Sequence, residues 1–121
     1  MNTHRKLIAW QACRELIREI YRSTEGFPAS ERFGLTAQLR RAAVSAASNI
    51  AEGFARTGPR ETAHGLSVSL GSLAEIDTLF AIAEDLGYLT VERIAELESL
   101  RGRASRLTFG LMRKLRTRTR E

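Results

Sequence analysis

The 121-residue chain has few residues that cross-link a fold or interrupt its helices and strands: one cysteine and two prolines. A single cysteine excludes an internal disulfide and is typical of a reducing compartment. The first ten residues, MNTHRKLIAW, lack the apolar run and the small-residue cleavage site of a secretory signal. No apolar run approaches the roughly 20 residues that cross a bilayer. We therefore expect a cytoplasmic protein that makes no membrane contact.

Motifs for catalysis or metal binding are also scarce. Glu61 and His64 match Glu-x-x-His, but a di-iron bundle needs two such motifs and two further carboxylates. Cys13 lies on an apolar stripe, where it is best interpreted as a small buried hydrophobe. The mid-helix serines lack the strained turn that presents a nucleophile, and no glycine follows a strand as phosphate loops require. We expect no enzymatic activity, no bound metal and no cofactor.

The sequence does contain strong helical periodicity. Apolar residues recur three and four positions apart in four segments, which are separated by Gly26 and Pro28, by Gly58 and Pro59, and by Gly87. We found no alternation of strand length. The predicted helices cover residues 3–24, 31–57, 60–86 and 91–117. Helices of this length with short joints predict an all-α protein, an antiparallel up-down-up-down four-helix bundle that forms a single domain over residues 1–121.

Two helix starts carry capping signals. Ser30 and Glu31 supply an N-cap and a first-turn anion for the second helix, and Thr90 is predicted to cap the fourth. The fourth helix is expected to bury one stripe, made of Ile94, Leu97, Leu100, Ala104, Leu107, Leu111 and Leu115.

The second helix has an unusual inward stripe of small and polar residues. Ser45, Asn49 and Glu52 fall among its alanines and leucines, and Ser72 with Glu75 shows a similar spacing on the third helix. Buried polar groups are costly unless they are paired, and such pairs can fix helix register. We predict a hydrogen-bonded polar seam formed by these five residues. The alternative is a pair of carboxylates for acid–base chemistry, which would need an open pocket.

Positive charge is concentrated at the C-terminal end of the sequence. Residues 101–121 hold eight Lys or Arg and one Glu, whereas the first hundred hold 11 basic and 13 acidic residues. Such an end suggests a polyanionic partner, although cations also complement the dipole at a helix C-terminus. No aromatic residues alternate with the last basic residues, so base stacking is not expected. The candidate nucleic-acid-binding residues are Arg5, Lys6, Arg40, Arg41, Arg113, Lys114, Arg116, Arg118 and Arg120.

The segment GLTAQLRRAAVSAASNIAEG, residues 34–53, resembles the signature of a bacterial family of four-helix-bundle proteins. These are encoded within intervening sequences of 23S ribosomal RNA genes and are also called S23 ribosomal proteins. Two positions depart from the family pattern: Ala46 stands where Ile or Val is usual, and Ser69 where Ala is usual. Further matches are Leu7, Trp10, Tyr21, Phe27, Pro28, Glu31, Gly71, Ser72, Leu73 and Glu75.

The resemblance implies a homopentameric barrel of four-helix bundles. The family is similar to the accessory subunit of diversity-generating retroelements, which binds reverse transcriptase and nucleic acid. Two hypotheses follow for this chain. It is either a non-enzymatic homo-oligomer that binds nucleic acid, RNA in particular, through basic surfaces, or a scaffold for a protein partner such as a reverse transcriptase.

Overall fold

The structure is a computed structural model that describes residues 3–120, with the side chains of residues 4–117. Over that range it contains four α-helices and no strand: α1 (Ile8–Thr24), α2 (Leu35–Ala55), α3 (Pro59–Asp85) and α4 (Val91–Arg120). Short 3₁₀ turns, Thr3–Lys6 and Ala29–Glu31, precede α1 and α2. Because α1 and α3 each contact both α2 and α4, the four helices surround one core.

The first two helices begin later than the sequence predicted. Leu7 has an extended backbone, so α1 starts at Ile8 and the residues before it form a separate 3₁₀ turn. The second helix starts at Leu35 because Glu31 acts from outside it: Glu31 Oε1 accepts a hydrogen bond from the Leu35 N–H at 2.9 Å. An acceptor placed there satisfies one of the unpaired N–H groups of a helix start.

Glu31 also connects two loops of the fold. Its Oε2 accepts a hydrogen bond from the Tyr88 hydroxyl at 3.0 Å, which ties the α1–α2 connection to the α3–α4 loop. This hydrogen bond raises the pKa of Tyr88, because the neighbouring carboxylate favours the protonated phenol. One side chain thus caps α2 and holds the far loop beside it.

The other predicted turn signals act as expected. Gly58 adopts a φ of 93°, which a side chain would disfavour, and Pro59 occupies the first turn of α3. Thr90 Oγ1 accepts a hydrogen bond from the Arg93 N–H at 3.1 Å, so the cap predicted for α4 is confirmed.

The buried face of α4 is rotated from the predicted stripe. Its fully buried residues are Leu97, Ala104, Thr108 and Met112, which follow one another at helical spacing. The predicted leucines at 100, 107, 111 and 115 are only half-buried and pack at the edge of the core. The helix α4 contacts both α1 and α3. The half-buried leucines therefore lie on either side of a narrow buried stripe, which includes Thr108.

Thr108→Val is expected to raise the free energy of unfolding by about 1 kcal/mol, as urea denaturation would measure. Thr108 Oγ1 is buried without a hydrogen-bond partner among the described residues, and an unpaired buried hydroxyl is destabilising. The matched control is Thr24→Val. The Thr24 hydroxyl donates to the Ile20 carbonyl at 2.8 Å and accepts from Arg40 Nε at 2.9 Å, so this change should destabilise. A loss of stability in both variants would contradict the prediction.

The α2–α3 interface is the tightest in the fold. Gly53 and Gly65 face each other there, where a side chain at Gly65 would clash with the backbone of α2 and one at Gly53 would lie 3.0 Å from the Thr62 carbonyl oxygen. Further along, Ser69 Oγ donates to the Ala46 carbonyl oxygen at 2.7 Å in a fully buried position. The buried Ser69 hydroxyl is thus paired with the backbone of α2.

The outer side of α3 exposes apolar residues among polar ones. Val68 and Ile82 are exposed there, Leu86 is exposed just beyond the helix, and Glu75 is exposed midway between the first two. By length and composition alone, α3 would be long and apolar enough to cross a membrane, and 39% of its most apolar window is buried. Core helices of soluble proteins pass the same test, so the composition of α3 does not show whether the helix lies in a membrane.

Candidate nucleic-acid interface

Arg40 is occupied by contacts within the fold. Its Nε donates to Thr24 Oγ1 at 2.9 Å, a terminal nitrogen donates to the Tyr21 carbonyl at 3.2 Å, and the guanidinium lies 4.4 Å from the centroid of the Tyr21 ring. These contacts tie α2 to the last turn of α1. Arg40 is therefore a structural residue, although the sequence had grouped it with the candidate binding residues.

Arg41, its neighbour in sequence, lies on a different surface. It is exposed and lines a cleft of about 330 Å³ between α2 and α3, together with Gln38, Ser45 and Glu75. The Glu75 carboxylate offsets its charge there. Arg41 is thus separated from the basic residues at the two ends of the chain.

Lys6 and Lys114 meet across one cleft. The cleft has a volume of about 450 Å³ and lies between the start of α1 and the second half of α4. Its walls include Leu7, Ile8, Leu107 and Leu111, and its cations are Lys6, Arg106 and Lys114. No carboxylate lines it among the described residues. We call this cleft, with its three cations, the basic cleft.

Arg106 is a member that the sequence analysis missed. It stands seven residues before Arg113 and three after Arg103, outside the dense basic run that supplied the candidates. The only available signal was its helical spacing from Lys114, since residues eight apart lie near one face of a helix. Which cations Arg106 would meet on α1 depends on how the helices pack.

The rest of the C-terminal run is more dispersed. Arg113 is exposed and its guanidinium lies 5.9 Å from the centroid of the Phe109 ring, which is itself 45% exposed. Arg116 is also exposed. The side chains of Arg118 and Arg120 lie outside the described residues. Phe109 stands one turn before Arg113, so one aromatic ring lies beside the start of the basic run, while none alternates with its members.

Arg5 does not line the basic cleft, although it is next to Lys6 in the chain. Its guanidinium is 5.5 Å from the centroid of the Trp10 ring, and its carbonyl oxygen accepts a hydrogen bond from Gln11 Nε2 at 3.0 Å. Arg5 and Lys6 are thus held on adjacent faces of the N-terminal turn.

The polar seam is smaller than predicted. Ser45 and Ser72 form a hydrogen bond between their hydroxyls at 2.9 Å, and Asn49 Nδ2 donates to the Ser45 carbonyl at 2.8 Å and its hydroxyl at 3.0 Å. The two carboxylates do not join this network. Glu52 is 62% exposed and pairs with Arg56 at 3.1 Å, whereas Glu75 accepts a hydrogen bond from Gln38. Both carboxylates extend past the edge of the interface, where solvent and nearby side chains satisfy them.

The positions of the two carboxylates also do not support the alternative, in which they form a pair for acid–base chemistry. Glu75 lines the cleft that contains Arg41, and Glu52 lines a separate cleft of about 290 Å³. That second cleft also includes Glu61 and His64, the pair with metal-ligand spacing. No group of three or more His, Cys, Asp or Glu side chains in the described part of the chain is arranged to hold a metal ion.

Comparisons with known proteins identify one family. Residues 5–110 match the family model described as the 23S rRNA-intervening sequence protein. A comparison with curated protein sequences finds no match. Among solved structures, the chain is similar to a protein of unknown function from the S23 ribosomal protein family of Bacteroides thetaiotaomicron VPI-5482. The TM-score is 0.79 at 15% identity, over 88% of this chain and 96% of that one, which shows a shared fold.

Proposed function

The chain belongs to the 23S rRNA-intervening sequence protein family, and we propose that it is a non-enzymatic homo-oligomer that binds nucleic acid, RNA in particular. The observation that carries this proposal is the basic cleft. Lys6 comes from the first turn of the chain and Arg106 and Lys114 from α4, yet all three line one cleft with no carboxylate among its described residues. Like charges held together in this way repel, and a polyanion relieves that repulsion.

A nucleic acid suits this surface better than a small anion does. Basic residues continue beyond the cleft along α4, with Arg113 exposed one position before Lys114. The last 21 residues of the chain carry eight Lys or Arg against one Glu. A phosphate backbone can contact many of these cations at once, and each contact releases counterions and strengthens binding. Contacts of this type read charge rather than base sequence.

Two features of α3 and its neighbour support the assembly that the family resemblance implies. Val68, Ile82 and Leu86 are large apolar side chains exposed on or just beyond α3, as expected where another copy covers part of that surface. Contacts between α2 and α3 pair residues in opposite order, since Gly53 lies against Gly65 and Gln38 against Glu75. We therefore infer an up-down-up-down bundle, and the family resemblance implies that five copies form a barrel.

The test of nucleic-acid binding replaces the two lysines of the cleft. In fluorescence anisotropy with a labelled RNA hairpin at low salt, Lys6→Gln with Lys114→Gln is expected to weaken binding about tenfold. The dependence of log K on log salt should become shallower by about 1 to 2, because two phosphate contacts are lost. The measurement is repeated at several salt concentrations for each protein.

The control removes the same charge elsewhere. Arg32 and Arg60 are exposed, and neither lines the basic cleft, so Arg32→Gln with Arg60→Gln should bind RNA nearly as the parent does. Equal weakening in both double variants, or no binding by the parent protein at low salt, would refute the proposal.

The assembly is tested by light scattering on the purified protein. A pentamer has five times the 13.5 kDa mass of the chain. A monomer would overturn the proposed assembly. The outer side of α3 would then be free to bind a different protein, as in the second hypothesis from the sequence. A pull-down that retains a reverse transcriptase would then support that alternative.

A further inference from the structure

Positively charged side chains surround the ring of Trp10, the only tryptophan of the chain. The guanidinium of Arg5 lies 5.5 Å from the ring centroid and that of Arg14 lies 5.1 Å from it. The His4 ring meets the indole edge-on, with centroids 5.1 Å apart. A cation is attracted to the face of an indole, so the half-buried Trp10 ring holds the two arginines in place despite their repulsion.

The carboxylates of α1 lie on the side of the helix that faces α4. Glu15 and Glu19 line a cleft toward α4, where Glu19 accepts a hydrogen bond from Arg93 at 2.8 Å. That bond, followed by the nearby charges of Arg22 and Arg93, lowers the pKa of Glu19 against the opposing effect of burial. Glu19 is thus engaged by Arg93 and Arg22, and Glu15 lines the same cleft toward α4.

Arg5, Arg14 and Arg18 form an uncompensated row. In the part of the chain that the structure describes, no carboxylate forms an ion pair with Arg5, Arg14 or Arg18. Arg18 is exposed one turn beyond Arg14, and the rise of a helix separates the two by roughly 6 Å along its axis. The row therefore runs from the 3₁₀ turn along the outer face of α1.

We propose that Arg5, Arg14 and Arg18 form a phosphate-binding track for the sugar–phosphate backbone of a nucleic acid, with Trp10 as the residue that positions Arg5 and Arg14. The inference rests on the proposed function and deepens it, because Lys6 of the basic cleft adjoins Arg5 and joins the two surfaces. The planar guanidinium fork suits phosphate oxygens, which it binds through two parallel hydrogen bonds.

The surroundings favour a nucleic acid over a membrane surface. A helix that lies in a bilayer interface needs an apolar face to insert beside its cations. From Arg5 to Arg18, the only exposed large hydrophobic side chain is Ile8, which lines the basic cleft. With two guanidinium groups over the indole, little of the ring is open to a base. We therefore expect the track to bind different base sequences with similar affinity.

The test uses Trp10 as a built-in reporter. Titration with a single-stranded RNA homopolymer at low salt is expected to change the tryptophan emission, and added salt should reverse the change. Arg14→Gln with Arg18→Gln should weaken RNA binding about tenfold in anisotropy and make the salt dependence shallower by about 1 to 1.5. The charge-matched control is again Arg32→Gln with Arg60→Gln, and circular dichroism verifies that each variant is folded.

The positioning role of Trp10 has a separate readout. Trp10→Phe keeps a ring beneath the arginines and should retain most of the RNA affinity, whereas Trp10→Ala should lose several-fold. If both variants bind RNA as the parent does, Trp10 does not position the arginines.

The outcomes separate this inference from the proposed function. If RNA binds in anisotropy but the Trp10 emission does not change, or if the Arg14 and Arg18 double variant binds like its control, the track is wrong while nucleic-acid binding stands. If no RNA binds at all, the proposed function itself fails. A change in emission with phosphatidylglycerol vesicles but not with RNA would identify the row as a membrane contact and overturn the inference.

Discussion

Gly65→Ala is expected to lower the free energy of unfolding by about 3 kcal/mol. A Cβ atom at Gly65 would lie 2.5 Å from the Asn49 carbonyl oxygen and 2.8 Å from the Gly53 Cα. Both are backbone atoms of α2, so no side chain can rotate away, and the two helices would have to separate. That separation would also strain the Ser45–Ser72 hydrogen bond of the polar seam.

Gly71→Ala provides the matched control on the same helix. A Cβ at Gly71 would meet nothing within 4 Å, so only the helix propensity changes. Replacing an exposed mid-helix glycine by alanine is expected to stabilise by about 0.5–1 kcal/mol. Urea denaturation followed by circular dichroism measures both variants. Stabilities that differ by less than about 1 kcal/mol would show that the α2–α3 approach is not as close as described.

Native Cys13 is expected to react with thiol reagents at pH 8 at least about a thousand times more slowly than the same cysteine in the unfolded chain. The side chain is fully buried, and this burial raises the pKa of the thiol to about 12. Because the thiolate is the reactive form, almost none of it is present in the folded protein at that pH. Labelling with a chromogenic disulfide in native buffer and in denaturant gives the two rates. Native labelling as fast as in denaturant would contradict the buried placement.

The same burial predicts how stability depends on pH. The pKa of Cys13 is higher in the folded state than in the unfolded state, so its protonated form is favoured by folding. This contribution is fully present below the unfolded pKa of about 8.5 and is lost as the pH rises toward 12. Cys13→Ala should be less stable at pH 8 because of the cavity, yet lose less stability between pH 8 and pH 11. The raised pKa of Tyr88 is common to both proteins and cancels in the comparison. Parallel pH profiles would count against the assignment.

Helix content and several helix ends could be predicted because local signals determine them. The Gly58–Pro59 pair and the Thr90 cap act within a few residues of their positions in sequence. Glu31 was predicted near the start of the second helix, but the carboxylate reaches from outside and moves that start to Leu35. Its second contact, with Tyr88, joins residues 57 apart and has no local signal.

The candidate site was only partly predictable because charge is visible in a sequence while partners are not. Arg40 and Arg41 looked equivalent, yet Arg40 is held by Thr24 and Tyr21 and Arg41 is exposed beside Glu75. In the sequence Arg14 is one of several charged residues of the first helix, and only its contact with Trp10 distinguishes it from an ordinary surface arginine. Each difference depends on which side chains a neighbouring helix brings close.

The sequence by itself determined that this protein is built from four helices, because periodicity and turn residues act over a few positions. It also determined the family and the positive charge near both ends of the chain. The tertiary structure alone decided that Lys6 meets Arg106 and Lys114, and that Gly53 and Gly65 allow α2 and α3 to touch. Those contacts join residues far apart in sequence, and their geometry follows from how helices pack around a common core.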